Sequence, residues 1–203
     1  MERLPVKRAL LSATNKSGLA ELGGLLADYG VELVSTGGTY RTLTEAGLAV
    51  TPVNEVTGFP EVLGGRVKTL HPRIHAGILA DKDDPEHVLA LSELGITPFD
   101  LICVNLYDFA GALERGLQDK ELVEEIDIGG PTLLRAAAKN YHSVAVLPDT
   151  SFYSRFQSEM QELEGSIGLA LRKELAAYTF SMISRYDRLI ATGLGGTGET
   201  STE

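Results

Sequence analysis

The 203-residue sequence predicts an α/β fold, a mostly parallel sheet flanked by helices on both faces. Three observations lead there. Short apolar runs of strand length alternate with longer stretches whose apolar residues recur at helical spacing. Hydrophobic residues make up 43% and charged residues 23%, and no apolar run approaches the length of a membrane span. No internal repeat or shift of composition divides the chain, so one domain is expected over residues 1–192, followed by a small polar tail over 193–203 that is expected to be disordered.

Taken in order, KRALLS reads as a buried strand. TNKSGLAELGGLLADYG then places Leu19, Leu22, Leu25 and Leu26 on one helical face, and Gly30 closes that helix. VELVS is a second strand, STGGTYRTLTEAG a second helix and LAVTPV a third strand. From Asn54 to Ala80 the alternation stops in a glycine- and proline-rich stretch that reads as a long, shaped loop, which is uncommon without a task. PEHVLALSELG is helical, FDLICVNLY is the most convincing central strand, and FAGALERG with KELVEEI gives one or two helices. After the helix that begins near Asp127, SVAVLP is a strand. SFYSRFQSEMQELEG and SIGLALRKELAAYTFSMISRYDRLIA are two helices with charged outer faces.

Charge and cysteine content exclude several classes. A formal net charge of −10 has the wrong sign for non-specific nucleic-acid binding or for attraction to an anionic membrane. Any phosphate must be met by a local cluster. The single cysteine, Cys103, lies in the apolar run LICV, which points to packing and not to a thiolate nucleophile. The N-terminus MERLPVKRALLS lacks the apolar stretch and cleavage site of a secretory signal, so the cytoplasm is the expected compartment.

Ligands of such sheets gather at the carboxyl ends of the strands, and two polar turns fall there. STGGT offers the hydroxyls of Thr36 and Thr39 and amides flanked by Gly37 and Gly38. TNKSG adds Thr14, Asn15 and the point charge of Lys16. In GGRVKTLHPRIHAG, extended backbone would send Arg66 and Lys68 to one side and Val67 and Thr69 to the other. His71 and His75 form an H-x3-H pair without the helical Glu partner of a zinc protease, so no metal site is expected. Asn105 and Tyr107 are read as closing the central strand on one face. IDIGGPTLLRAAAKN, Ile126 to Asn140, puts Asp127, the pair Gly129 and Gly130 and finally Lys139 into a loop entering a helix, where bare amides favour an anion or an oxygen that gains charge. Asp127 as a plain helix cap is an equal reading of that segment. Lys139 lies 12 residues after Asp127, and an unbroken helix would carry it about 15–18 Å away.

GGRVKTLHPRIHAGIL, NLYDF, IDIGGPTLLRAAAKN and STGGT, over a span from about Lys7 to Ala191, resemble the inosine monophosphate (IMP) cyclohydrolase domain of the bifunctional purine-biosynthesis enzyme. That resemblance implies a methylglyoxal-synthase-like fold. It also implies closure of the second purine ring of 5-formamidoimidazole-4-carboxamide ribotide (FAICAR) to IMP and water, with no cofactor and no metal. By the same resemblance Lys68, Tyr107, Asp127 and Lys139 carry the chemistry. The nucleotide is held by Thr14, Asn15, Lys16, Thr36, Gly37, Gly38, Thr39, Arg66, Val67, Thr69, Asn105, Ile128, Gly129 and Gly130. Asn15 and Asp108 depart from the family's usual Asp and Pro, and Asp108 is expected to loosen the turn after Tyr107. The family's formyl-transferring half has no counterpart in these residues, so a separate AICAR transformylase is the expected supplier of substrate and the oligomeric state is open, a homodimer included. Two rivals share the fold: a methylglyoxal-synthase-type phosphate lyase, and a regulatory module that binds a nucleotide without converting it.

Overall fold

The computed structural model describes residues 1–195. Five short strands form a parallel sheet in the order β4-β3-β2-β5-β6: β2 Arg8–Ala13, β3 Glu32–Ser35, β4 Val50–Pro52, β5 Leu101–Asn105 and β6 Ala145–Leu147. β2 and β5 are buried almost throughout, which is why RALLSA and LICVN read as continuous apolar runs instead of alternating ones. Pro52, which cannot donate to a ladder, sits on an edge strand. The chain steps from β2 outward through β3 to β4, then returns to β5 and steps the other way to β6. The direction therefore reverses between β2 and β5, the place where a crevice opens at the strands' carboxyl ends.

Helix α1, Leu19–Asp28, buries Leu19, Leu22, Gly23 and Leu26. Gly23 is required by proximity: a Cβ there would stand 2.8 Å from both Leu43 and Leu48. Helix α2, Gly37–Glu45, follows β3 without a linker, and α8, Gly129–Lys139, turns Leu133, Leu134 and Ala136 to Ala138 into the core. The last helix, α10, Leu169–Gly193, buries Arg172 completely. That guanidinium is tolerated because it donates to the carbonyls of Tyr141, His142 and Met1.

The structure amends the sequence reading in three places and decides between two alternatives in a fourth. The stretch 54–80 is not one loop, because α3, Val53–Thr57, and α4, Pro72–Leu79, flank a loop over 58–71. α4 was legible in principle: Pro72 is a first-turn proline, His71 caps it by accepting the Arg73 amide at 3.1 Å, and Ile74 and Ile78 share its buried face. Of the one or two helices expected from FAGALERG and KELVEEI there are two, α6 Phe109–Glu114 and α7 Asp119–Glu124. SIG does not begin the last helix but forms β7, Ser166–Gly168, antiparallel to β1, Arg3–Pro5. The central strand stops at Asn105, so Tyr107 lies in the turn beyond it. Helices α5, Pro85–Glu93, and α9, Tyr153–Glu162, fall where expected. Gly193 ends α10, and the rest of the expected tail after residue 195 lies outside the described residues. No helix among the described residues is long and apolar enough to cross a membrane.

Candidate active site

A cavity of about 570 Å³ opens at the β2–β5 reversal, roofed by the loop over 58–71 and bounded by the ends of α7 and α8. Its volume falls within the range of small-molecule sites. Three cations, Lys16, Arg66 and Lys68, line it together with three acids, Glu61, Glu124 and Asp127. In a chain of net charge −10 this is a local concentration of positive charge, balanced within the cavity itself.

On the β3 side the two polar turns meet. The Lys16 ammonium lies 3.7 Å from where a Cβ on Gly38 would be, so a side chain at 38 would press on that cation. The residue before α2, Thr36, makes no side-chain cap, and the helix's first residues, Gly37 and Gly38, line the cavity. Gly37 sits at φ 47°, in the left-handed region that favours glycine. The two threonine hydroxyls of STGGT differ in availability. Thr39 is committed to the end of β2, accepting the Ala13 amide at 2.8 Å and donating to the Ala13 carbonyl at 3.0 Å. Thr36 is tied only to the Ser12 hydroxyl at 3.2 Å.

Asn105 does not present a free amide to a heterocycle. Its Oδ1 accepts the amides of Thr14 and Asn15 at 2.6 and 2.8 Å, and its Nδ2 donates to the Asn15 carbonyl at 3.0 Å. It is the clamp that shapes the TNKSG turn. Asn15 turns back on the same loop, accepting the Ser17 amide at 3.0 Å, and does not line the cavity.

On the β5 side lie Lys68, Tyr107, Asp127 and the start of α8. Asp127, one residue before the N-cap Ile128, accepts the Gly130 amide at 2.8 Å through Oδ1, so the Gly130 amide is not free for a ligand oxygen. The glycine pair exists for close approach. A Cβ at Gly130 would stand 2.3 Å from Asp127 Oδ2 and 2.8 Å from Leu106, and one at Gly129 would stand 3.0 Å from the Thr69 hydroxyl. Burial pushes the Asp127 carboxyl above its ordinary value, while the Gly130 amide, the Lys68 charge and the Tyr107 backbone pull it down. A carboxylate of raised basicity near a cation, with backbone donors fixing its direction, can take a proton from a bound group.

The loop over 58–71 is not extended at Arg66, whose backbone is helical, so period two does not apply. Arg66, Lys68 and Thr69 all line the cavity, whereas Val67 does not and instead pairs its backbone with Val62. Arg66 forms a two-point ion pair with Glu124, its Nε 3.2 Å from Oε2, across the mouth. Exposed Ile128 lies beside it on the wall. Asp108 does not loosen the turn. It caps α6 by accepting the Gly111 amide at 2.9 Å.

Lys139 is the assignment that the geometry removes from this cavity. α8 runs unbroken from Gly129 to Lys139, a rise of about 15 Å, and leaves the lysine exposed at the far end. Ser12, Glu61, Glu124 and Ile126 line the cavity and were not singled out. For Glu124 a signal existed in the acidic run EEID immediately before the glycine pair. Among the described residues no group of His, Cys, Asp and Glu is placed to hold a metal ion. Cys103 is fully buried against the Tyr153 hydroxyl at 3.3 Å, and burial pushes its thiol up to about 12, so it takes no part.

Comparison with known proteins adds independent findings. The family profile "MGS-like domain" matches residues 18–132, and "AICARFT/IMPCHase bienzyme" matches residues 137–203. The bifunctional purine biosynthesis protein PurH of Cereibacter sphaeroides is 49% identical over 193 residues, which is 95% of this chain and 36% of that protein. PurH of Mycobacterium marinum is 50% identical over 195 residues, 96% of this chain and 37% of that protein. The chain thus spans about a third of the length of these relatives. Among solved structures, ForH superposes with a TM-score of 0.80 at 32% identity, covering 94% of this chain and all of that one.

Proposed function

The chain belongs to the MGS-like domain family, and from that premise we propose that it is an IMP cyclohydrolase, closing FAICAR to IMP and water in purine biosynthesis. The PurH relatives and the bienzyme profile over residues 137–203 support the assignment. The observation that carries it is the meeting of Asp127, with its raised basicity, and Lys68 beside the α8 start, one strand away from a phosphate-sized cradle of Lys16, Thr36 and the α2 amides. A nucleotide needs both ends.

In this reading the phosphate binds Lys16, Thr14, Thr36 and the amides of Gly37 and Gly38, and the ribose lies under Arg66 and Thr69. The imidazole then projects over Tyr107 and Ile128. The carboxamide nitrogen attacks the formyl carbon, an amide being a poor nucleophile that needs orientation and removal of a proton. Asp127 takes that proton. The formyl oxygen becomes an oxyanion held by Lys68 and the Gly129 amide. One proton from the carboxamide nitrogen and one from the formamide nitrogen end on that oxygen, which departs as water, with Tyr107 and Lys68 passing the second. An AICAR transformylase supplies the substrate.

Synthetic FAICAR added to the purified chain, with IMP followed by its ultraviolet absorbance, tests the proposal. Turnover by the wild type and a loss of about a hundredfold or more in Lys68→Ala are expected. A folded wild type that binds IMP and forms none from FAICAR would leave the regulatory module standing, and release of methylglyoxal from a triose phosphate would favour the lyase.

A further inference from the structure

Asp127 lies in residues 126–128, which belong to neither α7 nor α8, so nothing in the regular backbone ladders holds its main chain. Its side chain is directed by the Gly130 amide. Its own amide is met from a distant part of the chain, donating to the Tyr186 hydroxyl on α10 at 2.9 Å, across 59 residues of sequence. None of the residues lining the cavity comes from α10.

The Tyr186 ring is itself held. Phe109 meets it edge-on at 6.5 Å and 74°, and Leu122, Ile126, Leu189 and Ile190 pack in the same small cluster under α6 and α7. This cluster is separate from the main core and underlies the segment that carries Glu124 and Asp127. Burial, with a smaller push from the nearby Asp127 carboxylate and against the hydrogen bond from the Asp127 amide, raises the phenol to about 12, so the hydroxyl stays neutral. It accepts the amide without setting a second negative charge against the carboxylate.

We propose that Tyr186 is a positioning residue for Asp127, its hydroxyl fixing the main chain from which the reacting carboxylate projects. The inference rests on the cyclohydrolase reading for the meaning of "reacting", and on the hydrogen bond alone for the positioning. Tyr186→Phe keeps the ring in its cluster and removes the acceptor. The expected result is a fall in kcat for IMP formation of about tenfold or more, since displacements near 1 Å at a reacting group cost about that or more. KM and IMP affinity should stay within about twofold, and hydrogen exchange at the Asp127 amide, followed by NMR, should accelerate about tenfold or more. Phe109→Leu loosens the same cluster but spares the hydroxyl, so it should lower the melting temperature and leave kcat within about twofold.

Unchanged kcat and unchanged Asp127 amide exchange in Tyr186→Phe would overturn the proposal. So would a Phe109→Leu variant that loses as much kcat, because packing would then be the cause. If the wild type forms no IMP, the cyclohydrolase reading fails by itself and amide exchange decides the positioning: acceleration in Tyr186→Phe upholds it and unchanged exchange overturns it.

Discussion

The two edges of the sheet each carry an aspartate with a lysine beside it, and they treat the pair in opposite ways. At the amino-terminal edge Asp100, just before β5, is nearly saturated. Its Oδ2 accepts the amides of Lys7 and Arg8 at 2.8 and 2.9 Å and its Oδ1 pairs with Lys82. Lys82 gives its other protons to the carbonyls of Phe99 and Ser143, both at 2.8 Å. At the carboxyl-terminal edge the Asp127 carboxyl is met by the backbones of Gly130 and Tyr107 but makes no ion pair among the described residues, and Lys68 lines the cavity. An acid paired directly with its lysine and two amides is a rivet, whereas one that leaves its lysine unpaired keeps both groups open to a ligand.

That contrast can be broken most directly by removing each acid in turn. Asp127→Asn should lower kcat for IMP formation by about 10²–10⁴, the usual contribution of a general acid or base. Asp100→Asn should leave kcat per folded molecule within about twofold, and comparable losses in both variants would end the distinction. Next in size, Asp100→Ala strands the buried Lys82 ammonium and should cost about 3–5 kcal/mol of stability in urea unfolding. Adding Lys82→Met should recover part of that loss, and no recovery would mean that the pair is not the unit.

A smaller effect has a sign set by titration. Because the folded state raises the Asp127 carboxyl, protonation favours the folded state. The stability so gained is present below the unfolded carboxylate value and is lost as pH rises through the raised folded value. Asp127→Asn should therefore be more stable than wild type at neutral pH, and the advantage should vanish as pH falls below the ordinary aspartate range. A gain that persists in acid would show that charge is not its origin. The smallest effect belongs to the exposed Arg66–Glu124 pair. Glu124→Gln frees the guanidinium and should tighten IMP binding by a few-fold at most, about 0.2–1 kcal/mol, with the gain fading at high salt. Weaker binding would assign Glu124 to the ligand.

Strands buried on both faces and helices with one apolar face were legible because burial repeats at the period of the backbone, as in RALLSA, LICVN and α1. The β1–β7 pair was not, since each strand has three residues and its partner lies far away in sequence. At the site, the sequence located the strand-end turns and the glycine pair, because helix starts and glycines mark themselves locally. It could not show which polar groups were already engaged. Asn105 and Thr39 are consumed by backbone, and Arg66 by Glu124, through contacts that span 26 to 91 residues. Lys139 came in by motif order, while the distance along the helix set it apart from Asp127, as the structure has it. Tyr186 carries no local mark at all.

The clamp made by Asn105 has a consequence for the cavity as a whole. Asn105 holds the Thr14–Asn15 turn, Leu106 abuts Gly130, and Tyr107 touches the Asp127 carboxyl through its backbone, all at the end of one strand. The end of β5 thus shapes the turn that carries Lys16 and also abuts the segment that carries Asp127. A displacement of that strand end is therefore felt on both walls of the cavity at once.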